Sequence, residues 1–175
     1  MNIMKIKNKK WSMRDKFLYG DIMHVALEYL TEVEKLSDFN RILSSKDAFN
    51  NFLLEHLIFI YKPYVSDAVY QKLKRLNIKR LYTFFRKYLD SGYIVKTENT
   101  MIVPDNKTGR FIFLRPDILF INKSDKKIVI VELKSGKRYD KKQLKEYKSA
   151  IRQNMKAWRV YGKLYLAGID KLFNF

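Results

Sequence analysis

The chain has 175 residues, 47% of them hydrophobic, and carries 36 Lys and Arg against 18 Asp and Glu, a formal charge of +18. That much apolar side chain supports one sizeable core and excludes disorder, so a single domain spanning residues 1–175 is expected. The absence of cysteine removes disulfide scaffolds, thiol catalysis, cysteine-ligated zinc and iron–sulfur clusters, leaving oxygen and nitrogen groups for any chemistry.

About residues 1–16, opening MNIMKIKNKKWSMR, read as a basic arm, positive but with no apolar signal-peptide core behind it. A helical region follows over about 17–90. From Gly20 the apolar positions Ile22, Val25, Ala26, Tyr29, Leu30 and Val33 recur at helical steps, with Asp21 near the start and His24 on another face. Ser44-Ser45-Lys46-Asp47 resembles a capping box ahead of AFNNFLLEHLIFIY, a helix that should end before Pro63. A second capped segment begins at Ser66 and predicts two short helices broken near Asn77, stopped by Asp90-Ser91-Gly92.

The texture then changes to strands. YIVKTENTMIV, a turn at PDNKTG, RFIFLRPDILFI, a turn at NKSDK and KIVIVELK predict a three-stranded meander. The basic KKQLKEYKSAIRQNMKAW predicts a helix, and VYGKLYLAGI a fourth strand. With 3 Pro and 6 Gly there is no linker-like stretch, and no repeat divides the chain. No apolar run is long enough for a membrane span, so an intracellular protein, cytoplasmic or nucleoid-associated, is expected. The excess positive charge implies a polyanionic partner.

The chemistry-bearing signal is Arg115-Pro116-Asp117, followed fifteen residues after the aspartate by Glu132-Leu133-Lys134. Alternation along a strand sends Glu132 and Lys134 to one face and Leu133 to the other. If the preceding strand is the hairpin neighbour, Asp117 reaches the same face. Two carboxylates there attract a hard divalent cation, and the lysine beside them suits phosphodiester hydrolysis. The bland alternative is a solvated strand edge, but Ile128-Val129-Ile130-Val131 run into the pair as a buried strand. Lys137, Arg138, Lys141, Lys142, Lys145 and Lys148 follow where a phosphate backbone would run, a solvated basic helix face being the competing explanation.

Pro116-Asp117 with Glu132-Leu133-Lys134 resembles the signature of the PD-(D/E)xK nuclease superfamily. Gly20-Asp-Ile-Met-His24 and Gln143-Leu-Lys-Glu-Tyr147 resemble the G-xxx-H and Q-xxx-Y elements of its RecB-like exonuclease branch, so the likeness covers about residues 17–168. The resemblance implies an α/β fold with a central mixed four-stranded sheet flanked by helices, restriction-endonuclease-like, with an N-terminal helical region. It implies His24, Asp117 and Glu132 as ligands of Mg2+ or Mn2+, the Leu133 carbonyl as a further ligand and Glu98 as an additional acid. Lys134 would position or activate water, while Gln143 and Tyr147, one helical turn apart, would orient the strand end or touch nucleic acid. Two departures stand out. Arg115-Pro116 replaces the glycine that many relatives carry before the aspartate, and the cysteines of the iron–sulfur subgroup are missing.

The activity this implies is hydrolysis of DNA phosphodiester bonds, by an exonuclease acting on single strands or duplex ends in replication, recombination or repair. No Walker GxxxxGK[ST] occurs, so the nuclease would stand alone or be lent to a motor or another replication or recombination protein. Three readings compete: an RNA endonuclease of the cap-snatching type, a non-catalytic basic nucleic-acid-binding module, and a peripheral protein of anionic membranes. Tyr and Phe between Phe52 and Tyr93 are candidates for base stacking or for core.

Overall fold

Ser45 sets where the helix over Lys46–Tyr61 begins. Its Oγ accepts from the Ala48 N–H at 3.0 Å and its carbonyl from the Phe49 N–H at 3.1 Å, so one orphan donor of the helix start is satisfied and the first intrahelical bond is made. The computed structural model describes residues 18, 20–25, 40–74, 79–105, 108–134, 141–166 and 171–175. Residues 20–25 are helical. Helix α1 spans Lys46–Tyr61 and a single 3-10 turn, Lys62–Tyr64, takes up Pro63. Ser66 caps the next helix, its Oγ accepting from the Val69 N–H at 3.4 Å. Helix α2 runs Asp67–Lys74 and α3 runs Lys79–Asp90. The expected basic arm and the break near Asn77 lie outside the described residues. Gly92, at φ 75°, ends α3 by donating to Leu89 O at 2.9 Å, a left-handed position that suits glycine.

Among the described residues seven strands follow: β1 Ile94–Thr97, β2 Met101–Pro104, β3 Phe111–Leu114, β4 Ile118–Asn122, β5 Lys127–Lys134, β6 Arg159–Leu166 and β7 Lys171–Asn174. Helix α4, Lys142–Asn154, crosses from β5 to β6. The main sheet has the order β1-β4-β5-β6-β7, with β5 and β6 parallel and the other pairs antiparallel. The α/β class and the central mixed sheet flanked by helices are as expected, but the strands number five rather than four. Strand β7 pairs antiparallel with β6, and its four residues, KLFN, carry no alternation to announce it.

The two long strands expected over 93–103 and 110–121 each divide in two. Their inner halves, β1 and β4, stay in the main sheet, whereas the outer halves, β2 and β3, make a separate two-stranded ribbon. Both breaks have local causes. Glu98 takes φ 47°, which ends extended pairing, and Pro116 has no N–H to give a ladder.

Each face of the main sheet has its own apolar layer. Ile118, Phe120, Val129, Val131, Leu133 and Tyr165 are buried with Ile22, Met23, Phe49, Leu53, Leu81 and Phe85 from the helical region. On the other face Leu119, Ile128, Ile130 and Val160 are buried with Leu144, Tyr147, Ala150 and Ile151 of α4. Aromatic rings close the first layer. Phe84, Phe85 and Tyr88 lie 5.2, 5.3 and 4.7 Å from the Phe120 ring, within the range of favourable ring contacts. Phe52, Tyr61, Tyr82 and Tyr93 pack partly buried against the same cluster. Most aromatics of the Phe52–Tyr93 stretch are therefore core, with Tyr64 exposed.

Helix α4 lies on β6 at Gly162, where a Cβ would fall 2.8 Å from Lys148 Cδ and 3.1 Å from Leu144 Cγ. This close approach fixes the helix that carries Gln143 and Tyr147. Gly162→Val is expected to cost about 1–3 kcal/mol by overpacking, measured as a lower midpoint in urea unfolding; an unchanged midpoint would mean that α4 does not rest on this glycine.

Candidate metal centre

The register of the main sheet brings acids together. Thr97 pairs with Ile118 and Ile118 with Val131, so one further step along each strand sets Glu98 beside Asp117 and Asp117 beside Glu132. The first of these steps is marked by the Glu98 N–H donating to Asp117 O at 3.0 Å. Three carboxylates thus share one row at the ends of three neighbouring strands. All are withdrawn from water: the Glu98 and Asp117 side chains are 8% and 7% exposed, and Glu132 as a residue only 1%. Like charges so placed repel strongly, and burial removes the water that would screen them.

Residues 20–25 bring the opposing charge. His24 Nδ1 lies 2.8 Å from Glu98 Oε1 and 3.2 Å from Asp117 Oδ1, one ring nitrogen serving both acids. Among the described residues, His24, Glu98 and Asp117 form a group whose donor atoms all lie within 4.8 Å of one another, capable of coordinating a metal ion. The spacing suits a small hard cation, since adjacent ligands of an octahedral shell with bonds near 2.1 Å are about 3 Å apart. An orphaned atom supports the fit: Glu132 Oε1 is buried and has no hydrogen-bond partner, the costly condition that an added cation would relieve. The oxygens and one imidazole nitrogen form a donor set suited to a divalent cation.

A hydrogen-bond circuit surrounds the row. The Leu133 N–H donates to Asp117 Oδ2 at 2.5 Å. Lys134 Nζ reaches Glu132 Oε2 at 3.3 Å and Gln143 Oε1 at 3.2 Å. Gln143 Nε2 donates to Tyr147 OH at 2.9 Å, and Tyr147 OH to the Arg115 carbonyl at 3.3 Å. Arg115 Nε returns to Glu98 Oε2 at 3.2 Å. Four stretches of chain are joined in this way, five with His24, and each acid is oriented by a neighbour.

The electrostatic cost is visible in two groups. Hydrogen bonding to Asp117, and next to Glu98, raises the His24 pKa from 6.5 to about 10, keeping the ring an imidazolium. Burial, and next the Asp117 charge, pushes the Glu132 carboxyl from 4.5 up to about 7 against the pull of Lys134. A metal cation would replace the shared proton, and the imidazole must be neutral to ligate it.

The residues singled out in the sequence fall as follows. His24, Asp117, Glu132, Lys134, Gln143 and Tyr147 are brought together around one end of the sheet, and Glu98 stands in the three-residue group rather than at its margin. Glu132 adjoins that group. The Leu133 side chain is buried in the helical-region layer, and its N–H is what holds Asp117. Among the basic residues, Lys141 Nζ sits 4.7 Å over the Phe175 ring and Lys142 is 3.9 Å from Glu146. Lys145 joins Lys148, Ser149, Arg152, Gln153 and Lys156 along an open groove of about 400 Å3 on α4. Lys137 and Arg138 lie outside the described residues. Arg115, which orients Glu98 and binds Tyr147, was missed as a site residue; its place beside Pro116-Asp117 was the available signal. No helix among the described residues is long and apolar enough to cross a membrane. Compared with known proteins, the chain matches no family model and no curated protein.

Both raised pKa values make folded stability depend on protonation. The Glu132 contribution is complete below its ordinary value of 4.5 and is lost as pH rises through about 7; that of His24 is complete below 6.5 and is lost through about 10. In chelating buffer, melting temperature should therefore fall from pH 5 to pH 9. Glu132→Gln should flatten the lower part of this decline and stabilise the metal-free protein at pH 8 by about 1–3 kcal/mol. Magnesium or manganese should raise the melting temperature of the parent at pH 8 and leave Asp117→Asn nearly unmoved. A parent melt indifferent to both metals would refute the metal centre.

Proposed function

We propose that the chain is a divalent-metal-dependent nuclease that hydrolyses DNA phosphodiester bonds, a member of the PD-(D/E)xK superfamily in its RecB-like exonuclease branch. Its action on single strands or duplex ends would serve replication, recombination or repair. The single observation that carries this reading is the convergence of His24, Glu98 and Asp117 beside the Glu132–Lys134 pair at one sheet end.

His24, Glu98 and Asp117, with Glu132 alongside, would hold magnesium or manganese, which when bound supplies a Lewis acid for a phosphate oxygen and makes water more acidic. The remaining roles belong to the chain itself. Lys134 is the ammonium of the site, its Nζ fixed between Glu132 Oε2 and Gln143 Oε1. From there it offers a charged donor to negative charge that grows on the phosphate oxygens during attack. Gln143 and Tyr147 are positioning residues, because they reach the row only through Lys134 and the Arg115 carbonyl. Glu98 is steadied by Arg115 Nε, so the ring nitrogen of His24 keeps its direction. The His24 side chain is 34% exposed, which leaves the row approachable from solvent on that side.

A cationic track for the backbone is available on α4, where Lys145, Lys148, Arg152 and Lys156 line one groove. A purely electrostatic binding module accounts less well for the chain. It gains nothing from three buried acids at the point where phosphate would approach, since they oppose a polyanion unless a cation lies between them.

End-labelled single- and double-stranded DNA and RNA, incubated with magnesium, manganese or chelator, test the proposal. The parent should degrade DNA only with metal. Asp117→Ala and Lys134→Ala should each slow cleavage by about 10²–10³-fold or more while melting cooperatively. Robust cleavage by Asp117→Ala, or undiminished cleavage in chelator, would remove the mechanism.

A further inference from the structure

The β2–β3 ribbon has two unlike faces. Met101, Val103, Ile112 and Leu114 pack with the α4 layer. The register sets Ile102 opposite Phe113 and Pro104 opposite Phe111 on the other face, where Ile102 is 59% exposed, Phe111 68% and Phe113 69%. Two phenylalanines this open on one small face stand in contrast to Phe84, Phe85 and Tyr88, which pack on Phe120.

The placement of this face is informative. Strands β2 and β3 continue directly from the two breaks that hold Glu98 and Asp117. Beyond Phe111 and Phe113 the next alternate position is Arg115, its side chain 56% exposed and its Nε 3.2 Å from Glu98 Oε2. Asp117 is four positions beyond Phe113, at most about 13 Å of extended chain, so the rings run up to the edge of the metal centre. Lys96, Arg110 and Arg115 are exposed nearby. A second copy of the chain would bring another +18 to this cationic face, which opposes self-association. A single DNA strand brings π-faces for the rings and phosphates for the cations together.

We infer that this face is a stacking platform for the unpaired bases of single-stranded DNA whose backbone passes into the metal centre. The inference rests on the nuclease reading, and it narrows the substrate class to a strand with unpaired bases.

Fluorescence polarisation in chelating buffer tests it without cleavage, using a mixed-sequence deoxyoligonucleotide, an abasic strand of equal length and a blunt duplex. Phe111→Ala/Phe113→Ala should weaken binding of the base-bearing strand by about ten- to a hundredfold. Affinity for the abasic strand and the duplex should stay within about twofold. Phe111→Leu/Phe113→Leu, apolar but without π-faces, should behave like the alanine variant. Equal binding of the base-bearing strand by parent and alanine variant overturns the platform, as does a leucine variant that binds like the parent. Sedimentation or flotation on anionic vesicles that shows the parent, but not the alanine variant, self-associating or binding lipid overturns it in favour of a second copy or a membrane. If the binding pattern holds while the parent cleaves nothing, the nuclease reading fails and the platform stands.

Discussion

One imidazole nitrogen shared by two buried carboxylates is the contact on which the rest depends. Glu98 and Asp117 sit side by side because sheet register puts them there, and their mutual repulsion is offset by His24, by the Leu133 N–H and by Arg115. The neighbouring Glu132 has no such relief on one oxygen. A protein selected only for stability would place an apolar side chain at the end of the Ile128–Val131 run. Retaining a carboxylate there makes sense when its destabilisation is part of what it does.

That arrangement follows from where the hairpin breaks. A regular two-stranded ribbon running from Tyr93 to Asn122 would keep its side chains in strict alternation and its backbone groups paired. The left-handed Glu98 and the donor-less Pro116 interrupt it at one level, where Glu98 lies opposite Asp117. The PD dipeptide therefore has a physical meaning here: proline ends the outer ladder so that the next residue can begin the inner one.

Much of this was legible in the sequence because the signals were local. Ser45 and Ser66 cap helices where their spacing suggested, Ile128–Val131 is the buried strand it resembled, and the alternation of Glu132, Leu133 and Lys134 divides them between faces as strand geometry requires. What was not legible depended on contacts across the fold. Strand β7 exists because β6 offers an edge, and nothing in KLFN shows that. The division of the long hairpin turned on one backbone angle at Glu98, which is also why that residue stands nearer the centre of the cluster than its position alone suggested. Aromatics raised a similar ambiguity: composition marked the Phe52–Tyr93 stretch, yet two neighbouring exposed rings, Phe111 and Phe113, lie outside it, distinguished only once their strand had one face covered.

The turn between β4 and β5 divides the functional groups almost evenly. His24, Glu98, Arg115 and Asp117 precede Lys123, whereas Glu132, Lys134, Gln143 and Tyr147 follow Lys126, and the two sets meet through the pairing of β4 with β5 and through the Leu133–Asp117 and Tyr147–Arg115 hydrogen bonds. Neither half alone carries both the ligand group and the ammonium with its positioning partners. Cut at this turn, the chain becomes two fragments whose reunion would be reported by the restored cluster of His24, Glu98 and Asp117 beside Glu132 and Lys134, a natural split-protein switch.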